Sequence, residues 1–254
     1  MALKWSRKEE IIALFMYCQI PFGKIHSKNS DVIKIANILQ RTPASISMKM
    51  CNFARFDPTL KARGISGLSN GSKLDEEIWI EFNNDWEKLV FEATSALNEY
   101  NSSSDDVSVS DEYNIPVGAD VQYIQKARRN QDFFRKAVLS SYQYRCCITG
   151  LSVPSLLIAS HIKPWKFSNP VTERTNPQNG LCLNALHDKA FDKGLITIDT
   201  NYRLILSKEL KATYDSSIVE EFFFRFENIK ICLPERFSPS KEFLEYHNNN
   251  VFCC

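Results

Sequence analysis

The sequence predicts an α+β protein with a helical N-terminal domain and a mixed C-terminal domain. Three observations predict it. Apolar residues recur at helical spacing through the first hundred positions, a Ser- and Asp-rich stretch follows, and short apolar runs broken by turn residues come after that. At 254 residues the chain can build one large or two small cores. The expected boundaries are 1–97 for the helical domain, 98–120 for an acidic linker and 121–254 for the second domain.

In the first domain, "SRKEEIIALFMYCQI" carries Ile11, Leu14, Phe15 and Cys18 at helical spacing, behind a Ser6 cap with Glu9 three residues on. "SDVIKIANILQ" repeats the pattern. In "RTPASISMKMCNFARF", Thr42 can cap a helix and Pro43 suits its first position. Ile46, Met50 and Phe53 share one face of that helix, and Ser45, Lys49, Asn52 and Arg55 fall largely on others. Two helices joined by a tight break have the outline of a helix-turn-helix. On that reading Asn52 is available for adenine, and Lys49 or Arg55 for guanine or phosphate. A plain helical hairpin with a basic surface fits the same residues. "KARGISGLSNGSK" after it is a glycine- and serine-rich loop with basic residues, suited to a phosphate backbone or simply flexible.

The net charge of +1 hides strong segregation. Residues 1–74 carry 12 basic and 4 acidic side chains, 75–120 carry 1 and 13, and 121–199 carry 11 and 5. Two basic blocks around an acidic one favour a polyanionic partner over an ordinary solvated surface. The stretch "NEYNSSSDDVSVSDEYNIPVGAD" reads as a linker or exposed loop. No apolar run reaches membrane-spanning length, and "MALKWSRKEE" is no signal peptide, so a cytoplasmic protein without membrane partners is expected. The eight cysteines then read as thiols, and the lack of any CxxC pair speaks against a zinc ribbon.

The second domain opens on a basic amphipathic helix, "VQYIQKARRNQDFFRKAVLSSYQYRC", with Arg128 and Arg129 on its charged side. "CCITGL" and "LLIASHI" read as short strands. "NGLCLNALHDKAFDKGL" reads as a strand at 181–183 running into a helix at about 185–193, stopped by Gly194, and "LITIDTNYRLILS" as a hairpin. Two of the four histidines lie here, His161 at a strand end and His187 on the helix, with Asn179-Gly180 between them. A strand–loop–strand–helix unit can hold one histidine across a cleft from a metal-binding residue. Phosphodiester hydrolysis needs such a pair, a base for water and a cation on the developing charge. Taken singly, each residue has a structural reading: His161 closing a strand end, His187 on a helix surface, Asn179-Gly180 making a turn.

Taken together, the motifs "CITG" (Cys147–Gly150), "SHIKPW" (Ser160–Trp165), "NGL" (Asn179–Leu181) and "AFDKGL" (Ala190–Leu195) resemble the HNH endonucleases of the ββα-metal fold. The resemblance covers roughly 121–254. A weaker similarity joins residues 1–100 to the N-terminal regions of restriction-type members. The resemblance implies a metal-dependent endonuclease acting on double-stranded DNA, leaving a 3′-hydroxyl, in a restriction or defence setting of type II-like character. It implies His161 as general base, Asn179 as the residue bracing the loop or orienting the base, and His187 as metal ligand, with Mg²⁺ or Mn²⁺ as the ion. Many members carry Asp or His before the base, where this chain has Ser160. Either the metal then relies on His187 with water and phosphate oxygens, or a nearby carboxylate helps, Asp192 or Asp188 being the candidates, Asp192 only if the helix ends or bends near Gly194. Lys163 joins Arg128 and Arg129 as an expected DNA contact, and a palindromic target would call for a homodimer. Two other readings stay open: a catalytically silent DNA-binding protein, and an effector nuclease gated by a ligand or partner bound to residues 1–100.

Overall fold

A computed structural model describes residues 4–68, 71–102, 119–212 and 217–253. The chain is α+β and divides into two compact units, residues 1–136 and 137–254.

The first unit is helical. Helix α1 (Arg7–Gln19) starts in the expected capping box, Ser6 with Glu9. Asn29 caps α2 (Ser30–Ile38), and Thr42 caps α3 (Pro43–Phe53) with proline in its first turn. Asp57 caps the short α4 (Pro58–Ala62), and a second capping box, Ser72 with Asp75, starts α5 (Lys73–Phe82). Helix α6 runs Trp86–Ser102 and α7 Ala119–Ser141. Helix α1 is central and packs against α3, α5 and α6. Ile12, Leu14, Tyr17, Met50, Phe53, Phe82, Trp86 and Leu89 are sealed in the core, the burial that stabilises an amphipathic bundle.

The limits of the first unit and the place of Lys49 differ from the sequence expectation. The division between units falls inside α7, so the basic helix contributes to both, while 103–118 of the expected linker lie outside the described residues. Lys49, expected on an outward face of α3, is only 5% exposed. Its ammonium lies 2.9 Å from Glu10 Oε1 and 2.7 Å from Asp75 Oδ1, both themselves buried. Two buried carboxylates draw the one cation inward, because leaving them unpaired costs more than desolvating the lysine.

The second unit begins with the end of α7. "CCITGL", expected as a strand, is a turn. Gly150 sits at φ +73°, and Gly150 N–H donates to the Cys146 carbonyl while Cys146 N–H donates to Leu151. Gly150 provides the left-handed conformation that such a turn demands. Strands β1 (Leu157–His161) and β2 (Gly180–Asn184) pair antiparallel, with Ser160 opposite Leu181 and His161 opposite Gly180. Helix α8 (Ala185–Asp192) follows β2 directly, capped by Asn184. The expected hairpin forms from β3 (Ile196–Ile198) and β4 (Leu204–Leu206), closed by Asp199 Oδ1 accepting from Asn201 N–H and Arg203 N–H. Helices α9 (Lys208–Ala212), α10 (Ser217–Phe222) and α11 (Lys241–Asn250) complete the unit. The seven described cysteines are free thiols. Among the described residues, no helix is long and apolar enough to cross a membrane.

Candidate active site

The β1–β2–α8 unit carries His161, Asn179 and the acidic residues of α8 on adjoining elements. His161 ends β1, and its Nε2 lies 2.9 Å from the Arg174 carbonyl in the long loop between the strands. A carbonyl only accepts, so Nε2 carries the proton and the neutral ring presents its lone pair at Nδ1. Burial pushes the His161 pKa down, against the raising effect of that carbonyl.

Asn179 is fully buried at the loop's far end. Its Oδ1 accepts from Lys163 N–H at 2.8 Å. Its Nδ2 faces three oxygens, the Lys163 carbonyl at 3.2 Å, Ser168 Oγ at 3.2 Å and the Glu173 carbonyl at 3.3 Å. One amide thus ties both limbs of the loop to the start of β2. Further ties are the ion pair of Lys163 with Glu173 at 2.7 Å and the Ser168 hydroxyl donating to the Lys163 carbonyl at 2.9 Å. Asn179 therefore fixes the loop, and the loop fixes His161 through Arg174.

Ser160 precedes His161 and is buried, and its hydroxyl lies toward the Asp188 carboxyl of α8. The residue facing it from α8 is Asp188. Burial raises the Asp188 pKa, and the Ser160 hydroxyl eases it back. Asp192, one turn on, is raised by burial and by the neighbouring Asp188 charge. Residues four apart share a helix face, so Asp188 and Asp192 form an oxygen pair beside a hydroxyl. Hard oxygens of this kind suit Mg²⁺ or Mn²⁺, with water and phosphate oxygens filling the remaining shell. Among the described residues no three His, Cys, Asp or Glu side chains converge on one point as a metal cage would.

His187 faces the other way. It is fully buried, with Nε2 at 2.7 Å from the Phe222 carbonyl and Nδ1 at 3.0 Å from Asn184 Oδ1, and its ring packs against Phe223 and Phe226. Burial pushes its pKa down too.

The expected DNA-contacting residues fall into two groups. In α3 Lys49 is enclosed, Asn52 Nδ2 donates to Asp75 at 3.1 Å, and the Arg55 guanidinium lies on Phe56 while donating to the Ser72 carbonyl at 3.0 Å. Arg128 and Arg129 are exposed and line an open cleft along α7 with Gln131, Asp132 and Arg135. Lys163 belongs to the loop beside His161. Sequence reasoning missed Arg174, which acts on His161 through a backbone carbonyl and so leaves no side-chain signature.

Two antiparallel strands lead straight into a helix, with histidine at the end of the first strand, and form a ββα unit. Residues 146–199 match the family model for HNH endonuclease, so this segment is similar to the domain of that family. Among solved structures, the modification-dependent TagI restriction endonuclease is similar, with 17% identity and a TM-score of 0.31. That likeness covers 46% of this chain and 37% of the TagI chain, so the chain spans little more than a third of that enzyme's length. Comparison with curated proteins gave no match.

Proposed function

We propose that the chain is a divalent-metal-dependent DNA endonuclease of restriction type. The observation that carries the reading is the His161 arrangement inside a segment similar to the HNH endonuclease domain: a histidine whose Nε2 proton is held by Arg174 and whose loop is clamped by Asn179. His161 Nδ1 takes a proton from water as the water oxygen attacks phosphorus; the P–O3′ bond breaks, the departing oxygen takes up a proton from solvent, and the DNA is left with a 3′-hydroxyl and a 5′-phosphate. A divalent cation bound beside α8 would supply stabilisation for the negative charge that develops in this step. Asp192 and Asp188 would hold it, with the Ser160 hydroxyl alongside. His187 would enter the ligand set only by giving up Asn184 Oδ1 or the Phe222 carbonyl. Arg128 and Arg129 would meet phosphates. The α3 residues Lys49, Asn52 and Arg55 would reach DNA only by leaving their present partners.

The test is cleavage of a mixed set of methylated and unmethylated plasmids with Mg²⁺, Mn²⁺ or EDTA, wild type beside His161→Ala. Discrete metal-dependent bands, lost in His161→Ala, are expected. Intact DNA under every condition with DNA binding retained would instead mark a silent binder. Intact DNA without binding would point to gating of the first unit by a ligand or partner.

A further inference from the structure

The loop between β1 and β2 does more than hold His161. It presents aromatic rings to solvent, each beside a cation. Phe167 is 58% exposed and Trp165 38%. The Arg174 guanidinium lies 3.8 Å from the Trp165 ring centre, Lys166 Nζ 5.7 Å from that of Phe167, and Lys163 Nζ 5.1 Å from that of Tyr246. Phe167 and Tyr246 have ring centres 6.4 Å apart. A large exposed aromatic on a mobile tip would mean little, since it would lose the entropy of ordering on binding. This loop is fixed on both sides of the rings. Asn179 and the Ser168 hydroxyl hold Lys163, and Arg174 Nε donates to the Ser168 carbonyl at 3.2 Å.

We propose that Phe167 and Trp165 form a stacking platform for unpaired bases, the opened step of a kinked DNA, with Lys166 and Arg174 meeting its phosphates. The proposal rests on the nuclease reading and deepens it. Charge complementarity selects the partner: Arg174 and Lys166 stand beside the two exposed rings, while Lys163 is paired with Glu173, and rings interleaved with cations grip bases by their faces and the backbone by its charge. Position selects the role. Arg174 touches Trp165 with its side chain and His161 with its carbonyl, so a base stacked there lies one residue from the reacting histidine. An apolar wedge at an opened step is a known way to bend DNA toward a protein surface.

The experiment uses the full chain with chelator present, so that nothing is cut. Mixed-sequence single-stranded DNA is titrated beside heparin, a polyanion without bases. Trp165 is the single tryptophan beyond residue 136, the other three being Trp5, Trp79 and Trp86. Wild type should show tryptophan quenching with DNA and none with heparin, and the quenching should vanish in Trp165→Phe. Phe167→Ala should weaken DNA binding roughly 10-fold, within the range for losing one stacked base, while heparin affinity and melting temperature stay unchanged. DNA binding with no quenching and no effect of Phe167→Ala overturns the platform. The nuclease reading survives that result if plasmid cleavage persists. Failure to bind DNA, together with failure to cut plasmid, overturns both.

Discussion

Asn179 holds the Lys163 peptide from both sides, accepting its N–H at 2.8 Å and donating to its carbonyl at 3.2 Å. Sixteen residues separate the two in sequence, and all of the loop that orients His161 lies between them. A fully buried amide in this position cannot be replaced by water. Asn179→Ala is expected to cost roughly 2–4 kcal/mol, from several unmade buried hydrogen bonds. Asn179→Asp keeps the acceptor but sets a carboxylate against two carbonyls, so it should fare no better. Urea unfolding measures the loss, and cleavage should fall with it. A variant as stable as wild type would show that the clamp is not what fixes the loop.

This clamp explains what could be read from the sequence and what could not. The helix starts were legible because a cap is a local event: Ser6 with Glu9 and Thr42 with Pro43 decide their helices within four residues. The β3–β4 hairpin was legible for the same reason. "CCITGL" misled because its apolar residues are buried by packing, not by pairing, and Gly150 turns the chain. Lys49 misled because helical periodicity counts lysine as outward, while the deciding carboxylates, Glu10 and Asp75, come from α1 and α5. The order of His161, Asn179 and His187 pointed to a strand–loop–strand–helix unit, which the fold contains. Which way each ring faces depends on Arg174, Phe222 and Asn184, and only the fold brings these into place.

Acid should destabilise the second unit. His247 is buried against Phe191, ring centres 3.7 Å apart, with Nδ1 at 2.8 Å from Thr197 Oγ1. Burial lowers its pKa to about 4 from an ordinary 6.5, in spite of the Phe191 carbonyl beside Nε2. Between those values the unfolded chain binds the proton and the folded chain does not. The stability is complete above pH 6.5 and is lost as pH falls toward 4, by about 3 kcal/mol for this residue. His161 and His187 shift in the same direction. Urea midpoints from pH 7 to 4.5 should fall steeply in wild type and less steeply in His247→Gln. Equal slopes would remove His247 as the cause.

The first unit should respond with the opposite sign. Burial raises Glu10 to about 7 from 4.5, and the Asp75 charge adds to it, while Lys49 opposes. Glu10 Oε2 is buried without a hydrogen-bond partner among the described residues, as suits a carboxyl that keeps its proton more readily than a free one. Here the folded state binds more protons between pH 4.5 and 7, so stability falls as pH rises through that window. Glu10→Gln should flatten this part of the profile. Lys49→Met strands Asp75 and Glu10 and should cost roughly 3–5 kcal/mol at pH 7. A Lys49→Met protein that unfolds like wild type would show that the trio is not a folding element.

Asp188 and Asp192 give a prediction that does not depend on cleavage. Both carboxyls have raised pKa values, from burial first and, for Asp192, from its neighbour's charge. Two carboxylates on one helix face repel, and a divalent cation turns that repulsion into attraction. Titrated with Mn²⁺ and followed by the electron paramagnetic resonance of the free ion, wild type should take up one ion. Asp188→Asn and Asp192→Asn should each weaken uptake at least about 10-fold, since each removes a charged oxygen from a site with few protein ligands. Without metal, the same substitutions relieve repulsion, so their melting temperatures should equal or exceed that of wild type. His187→Gln separates the two ligand sets. If His187 stays in its pocket of Phe222, Phe223 and Phe226, the variant melts lower and keeps its Mn²⁺ affinity. A loss of Mn²⁺ affinity as large as that of Asp188→Asn would mean that the imidazole turns out of that pocket to reach the ion.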